Sequence, residues 1–313
     1  MNVEGKRVLV TGGTGFVGSH VVSRLKQRRC SHIFVSQSKE FNLLRMDDIQ
    51  NLFEICCPDI VIHLAAKVGG IEDIRTHPGS YYFENTLMGT LLLEQCRLFN
   101  VKKLIIVGTG CSYPENAKIP FKESDFWNGY PEKTNASYGI AKRGLYQQCL
   151  AYNMQYGMDF SYLIPTNAYG EGDHFASKNC HVIPSLIKKI YKAKTYEEKS
   201  ITVWGTGNST REFMYIGDIA QAIIDSTFLY DDLEPLNIGT GIETSIKELV
   251  SMIAELIDYK GEIIWDSTKP EGYSRKCLCV DKMRKIMPNL SPVPLYEGLK
   301  KTICWAEKQN ILL

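Results

Sequence analysis
Apolar and polar residues alternate along the first half of the chain in blocks that predict strands and helices by turns. Residues 6–11 carry Arg-Val-Leu-Val-Thr, a continuous apolar run flowing into glycines, as expected of a buried parallel strand. Over residues 15–27, Phe16, Val17, Val21, Val22 and Leu25 form a helical apolar stripe. A second strand is expected at 33–35, a helix at about 46–56 and a third strand at 59–66. Helices around 81–99 and 138–156 bracket a strand at 103–108, and 160–165 supplies another. This alternation predicts an α/β fold built on a doubly wound parallel sheet of Rossmann type.

Beyond about Tyr169 the rhythm breaks into loops, a helix near 183–192 and short strands at 201–204 and 263–265. A smaller C-terminal α/β substrate domain is expected there. A helix around 213–229 and a strand at 236–239 are expected to return to the sheet. The predicted organisation is therefore a dinucleotide-binding domain over 1–170, with returning segments near 213–240, and a discontinuous substrate-binding domain over 171–313.

Composition narrows the class without changing the fold. Hydrophobic residues make up 44% of the 313 and charged residues 23%, ordinary globular values. With 36 basic against 35 acidic residues the formal charge is +1, so neither nucleic acid nor membrane is expected as a partner. No run approaches the ~20 apolar residues of a bilayer span, and residues 1–18 lack a signal-peptide core, which predicts a cytoplasmic protein. The ten cysteines are scattered with no Cys-x-x-Cys, so most are expected as buried thiols and no metal site is expected.

Candidate chemistry starts with a glycine loop. Gly12, Gly15 and Gly18 follow the first strand and open a helix, where they allow a tight turn, close approach of a pyrophosphate and helix-on-strand packing. After the second strand, Ser36, Ser38 and Lys39 stand where an NAD-selective site usually carries an acid, which favours NADP (NADPH) over NAD. Tyr138 and Lys142 are four apart and share a helical face, so the ammonium is expected to draw the phenol toward phenolate. Such a phenol exchanges a proton with a substrate oxygen while hydride moves at the neighbouring carbon.

Gly12-x-x-Gly15-x-x-Gly18, His63-Leu-Ala-Ala66, Gly108-Thr109, Tyr138-x-x-x-Lys142 and Pro165-Thr-Asn-Ala-Tyr-Gly170 occur in the order found in extended short-chain dehydrogenase/reductases acting on nucleotide sugars, and the chain resembles that family throughout. Ala65-Ala-Lys-Val-Gly-Gly-Ile71, Cys111-Ser-Tyr-Pro114, Asn179-Cys-His-Val-Ile-Pro184, Val203-Trp-Gly-Thr-Gly207 and Arg211-Glu-Phe213 resemble, more narrowly, the GDP-L-fucose synthase family of epimerase/reductases. The resemblance implies Thr109, Tyr138 and Lys142 for reduction of a keto group, and Cys111 with His181 as the acid/base pair of an epimerisation. It also implies cofactor contacts at Thr14, Phe16, Ala65, Pro165, Asn167 and His181. Lys189, Trp204, Arg211 and Lys276 would hold a GDP-linked 4-keto sugar, with Arg275 a further candidate for its diphosphate and Lys189 standing where the family pattern has arginine. A homodimer joined through the helices near 81–99 and 138–156 is implied as well.

Each residue also has an ordinary reading. Thr109 can cap a strand end, Cys111 can be packing, Arg211 can pair with Glu212, and Trp204 can be core. Three functions follow: an epimerase/reductase giving GDP-L-fucose or a close relative, a GDP-sugar or GDP-heptose 4-keto reductase without epimerase activity, and a non-catalytic NADP-binding protein.

Overall fold
A computed structural model describes residues 3–175, 180–269 and 274–313. The strands along the chain are β1 (Arg7–Thr11), β2 (His32–Ser36), β3 (Ile60–His63), β4 (Lys103–Val107), β5 (Phe160–Pro165), β6 (Asn167–Tyr169), β7 (Ser200–Trp204), β8 (Thr210–Tyr215), β9 (Leu236–Ile238), β10 (Glu243–Ser245), β11 (Glu262–Asp266) and β12 (Arg275–Lys276). The helices are α1 (Phe16–Gln27), α2 (Met46–Cys56), α3 (Ile71–Thr76), α4 (Pro78–Leu98), α5 (Ala136–Tyr156), α6 (Val182–Thr195), α7 (Ile216–Leu229), α8 (Ile246–Ile257), α9 (Asp281–Ile286) and α10 (Leu295–Lys308).

The main sheet has the order β2-β1-β3-β4-β5-β9, and every pairing in it is parallel. Val8, Leu9 and Val10 on β1 and Leu104, Ile105 and Ile106 on β4 are wholly buried, which is why these strands read as unbroken apolar runs. The chain leaves β1 toward β2 on one side and comes back to β3 on the other, so right-handed crossovers put helices on both faces. Accordingly α1 packs with α7, while α4 lies between α2 and α5. The reversal between β1 and β3 is the switch point at which such sheets bind ligands.

A second apolar core gathers α6, α8 and α10 around Ile187, Ile253 and Leu299, with β7 and β11 paired in parallel at its edge. Strand β8 connects the cores: Phe213 packs into the second and Met214 into the first. The helix expected over 213–229 begins only at Ile216. Residues 213–215 instead complete β8, where Phe213 and Tyr215 lie in register with Asn167 and Tyr169 of β6. Phe213, Met214 and Tyr215 run straight into the apolar sequence of α7, so the boundary shows only once a partner strand is present. The third strand also ends early, at His63, and the chain beyond it becomes a loop beside the β1 turn.

Glu212 on β8 is fully buried, and its carboxylate is met by three backbone amides from two segments. Oε1 accepts from Thr240 N at 2.6 Å and Gly241 N at 2.8 Å, and Oε2 from Leu278 N at 2.8 Å. Its carbonyl accepts from Asn167 Nδ2 at 2.8 Å. The side chain thus ties β8 to the end of the main sheet and to the segment after β12, and the backbone carbonyl of the same residue ties it to β6. Glu212→Ala orphans these amides and should lower stability by about 3 kcal/mol, read from the midpoint of urea unfolding.

Candidate active site
A cleft of ≈ 1760 Å³ runs from the β1 turn across the carboxyl ends of β3, β4 and β5 to the second core. Its first end is shaped by glycine. Gly12 has φ +69°, and a Cβ there would lie 2.7 Å from Ala65 N. A Cβ on Gly18 would lie 2.0 Å from Gly12 O, so α1 seats directly against the turn. Thr11 Oγ1 and His63 Nδ1, 2.8 Å apart, pin the ends of β1 and β3. Burial lowers the His63 pKa to about 3, with the Lys142 charge acting in the same direction, so this ring is neutral.

Thr14, Gly15, Phe16, Ser36, Ser38, Ala65, Pro165 and Asn167 all line the cleft. Lys39 does not: it is exposed beyond the lining, and Phe41 and Asn42 border the cleft there instead. The cradle left by Gly12 and Gly18, with the start of α1 facing it, fits the pyrophosphate of a dinucleotide. Ser36 and Ser38 leave the ribose end without a carboxylate.

The chemical end is built by docking α5 onto a single 3-10 turn, Gly110–Ser112. A Cβ at Gly139 would stand 2.5 Å from Cys111 O, so the glycine inside Tyr-Gly-Ile-Ala-Lys is what lets helix and turn touch. Ser112 Oγ donates to Gly139 O at 3.0 Å and Arg143 Nε to Ser112 O at 2.6 Å, locking the contact. Thr109 Oγ1 accepts from Cys111 N at 3.1 Å, and Cys111 packs with Tyr138, Tyr81 and Ile74. Thr109 therefore caps the turn that follows β4, and it also lines the cleft, as Tyr138 does.

The expected electrostatics of Tyr138 and Lys142 are reversed. Burial raises the Tyr138 pKa well above the usual phenol range, with Cys111 and Tyr81 adding to the rise. Burial lowers the Lys142 pKa to about 8, and its Nζ donates to Val107 O at 3.1 Å. Desolvation thus governs both groups, and the phenol is held in the protonated state that can donate.

At the far end, His181 precedes α6, half exposed at the cleft wall, with Nδ1 3.3 Å from Oδ1 of the buried Asp173. Asp173 was not predicted; its signal in the sequence is the turn Gly170-Glu-Gly-Asp173 just after β6. Lys189 Nζ donates to Thr202 O at 2.7 Å, and Arg211 Nη1 donates to Thr210 O at 2.8 Å. Both line the cleft, and Arg211 has no pair with Glu212, whose oxygens the backbone occupies. Trp204 is 63% exposed and also lines the cleft, so it is no core tryptophan. The Lys276 ammonium lies 3.6 Å from Cys111 Sγ. Arg275, another expected cation, is paired with Glu243 at 2.5 Å and does not line the cleft. Asn179, in the motif carrying His181, lies outside the described residues. Among the described residues no cluster of His, Cys, Asp or Glu could hold a metal ion, and no helix is long and apolar enough to cross a membrane.

Residues 8–239 match the model of the NAD dependent epimerase/dehydratase family. The chain belongs to that family. It is 36% identical to a probable GDP-L-fucose synthase 1 of Oryza sativa subsp. japonica, over 96% of this chain and 92% of that one. It is similar to the crystal structure of a GDP-L-fucose synthetase from Naegleria fowleri bound to NADP, with TM-score 0.90 and 28% identity over 98% and 95% of the two chains. A GDP-6-OMe-4-keto-L-xylo-heptose reductase from C. jejuni has TM-score 0.91 and 26% identity, over 99% of both chains.

Lys142 has a consequence for stability. From pH 8 to 10.5 the unfolded lysine keeps a proton that the folded one has released. Stability therefore rises with pH across that window, by at most about 1.4 kcal/mol per pH unit. Lys142→Met should flatten the rise, seen by comparing urea midpoints of the two proteins between pH 7.5 and 10.5.

Proposed function
We propose that the chain is an NADPH-dependent enzyme that epimerises a GDP-4-keto-6-deoxyhexose and reduces its 4-keto group, giving GDP-L-fucose or a close relative. The convergence of Thr109, Cys111, Tyr138 and Lys142 at one end of the cleft that the glycine loop opens carries this proposal. The names of the relatives point to the same substrate class.

When bound, NADPH supplies the hydride; the glycine turn and the start of α1 would hold its pyrophosphate, and Ser36 and Ser38 its ribose end. Thr109 holds the keto oxygen, and Tyr138 gives its phenolic proton to that oxygen as the carbonyl becomes an alcohol. Lys142 anchors the helix face beneath the phenol through Val107 O. For epimerisation, Cys111 takes the proton from a carbon next to the ketone, and His181 returns one on the opposite face. Arg211, Lys189 and Lys276 neutralise the diphosphate, and the exposed Trp204 offers a flat face to the base.

In this proposal residues 1–170, with the segments near 213–240, carry the cofactor, and the remainder carries the sugar nucleotide. A homodimer is supported by Tyr82 and Phe83 on α4 and Met154 and Tyr156 on α5, large apolar side chains left exposed. All ten cysteines are unpaired, which fits a reducing, cytoplasmic setting.

A second reading, reduction without epimerisation, is favoured by the likeness to the heptose reductase. The two separate when the protein turns over GDP-4-keto-6-deoxy-D-mannose with NADPH in deuterated water. Deuterium at carbons 3 and 5 of a fucose product is expected; reduction with no deuterium would establish the pure reductase. Tyr138→Phe should slow NADPH oxidation by about 10²- to 10⁴-fold. Cys111→Ser and His181→Asn should each block deuterium entry.

A further inference from the structure
We propose that Asp173 is a positioning residue: its carboxylate fixes the tautomer of His181 and holds the ring ready to return a proton in the epimerisation proposed above. This role rests on that function, although its effect on the ring can be measured without it.

The Asp173 side chain is 1% exposed, and its oxygens are unequally used. Oδ1 lies 3.3 Å from His181 Nδ1 and accepts from His174 N at 2.7 Å. Oδ2 is buried with no hydrogen-bond partner among the described residues. A buried carboxylate with one unmet oxygen is costly unless a cation stands beside it, and among the described residues the imidazolium of His181 is paired with it. With Nδ1 turned to the carboxylate, Nε2 is the nitrogen left for the cleft that His181 lines.

The loop carrying Asp173 is braced from two elements. His20 on α1 places Nε2 2.7 Å from Glu171 O, and Tyr215 at the end of β8 donates to Glu171 Oε1 at 2.8 Å. The histidine is fixed separately, because Ser185 N donates to His181 O at 3.1 Å in the first turn of α6. A carboxylate on a rigid support facing a histidine on a rigid helix start is the arrangement that sets imidazole tautomers in acid/base sites. Asp173 raises the His181 pKa above its ordinary value and outweighs the opposing effect of burial. Of the other ionisable groups nearby, Cys180 is the preceding residue, and Lys189 lies further along α6 with its ammonium on Thr202 O.

In the step itself, the Nε2–H bond breaks and a C–H bond forms at the enolate carbon. The enolate electron pair becomes that bond, and His181 is left neutral beside the Asp173 charge. Solvent then restores the ring proton.

The test uses the full chain labelled with ¹³C-histidine, with the His181 signal assigned through His181→Asn. In the ligand-free wild type His181 should titrate above the ordinary histidine value. In Asp173→Asn, which still offers an oxygen to His174 N, the midpoint should fall. Asp173→Glu should restore part of the shift. With GDP-4-keto-6-deoxy-D-mannose, Asp173→Asn should slow deuterium entry on the order of 10²-fold, leave KM within about twofold and move the alkaline limb of the pH profile to lower pH. An unchanged His181 midpoint in Asp173→Asn overturns the proposal, whatever happens to turnover. If the wild type reduces the sugar without exchange, the epimerase function falls, and with it the catalytic part of this role. The titration alone then reports whether the carboxylate governs the ring.

Discussion

A carboxylate with no water around it is among the costliest groups to bury, and the fold depends on how Glu212 is accommodated. Burial raises its pKa, and three backbone amides work against that rise. Those amides belong to segments distant in sequence, so the cost of desolvation is offset only if all of them arrive. The two apolar cores meet at this point, and the cleft runs between them. A polar hub of this kind specifies a single arrangement of the two halves, because sliding one past the other would strand the charge.

Much of the main sheet was legible in the sequence, because parallel strands buried on both faces leave unbroken apolar runs that no surface alternation obscures. Strands β1, β4 and β5 sit within a residue or so of expectation. The second core was harder to read. Helix α8 carries a full capping box, Ser245 with Glu248, and a clear apolar face, yet it stands among short strands whose partners are remote in sequence. Strand β8 was hidden for the same reason: Phe213 and Met214 suit a helix until β6 and β10 supply hydrogen-bond partners.

The site shows the same division between local and tertiary information. Spacing pointed to Tyr138 and Lys142, the family resemblance pointed to Thr109, and the glycine loop pointed to the cofactor cradle. Their charge states were not legible, because desolvation depends on what the rest of the chain lays over them. Lys142 is as buried as a core leucine, which no four-residue motif reveals. Lys39 and Arg275 lie outside the cleft lining for the complementary reason that a cation in the right stretch of sequence can still face solvent or a nearby carboxylate.

Gly139 lies between Tyr138 and Lys142 and against the carbonyl of Cys111, so one close backbone contact sets the distance between the groups assigned to reduction and those assigned to proton exchange. The two chemistries therefore share a single piece of scaffold. In a lineage built this way, one activity can be lost while the other persists only through changes of side chain. The main chain at the helix contact stays common to both, so enzymes that epimerise and enzymes that do not can diverge on backbones that superimpose.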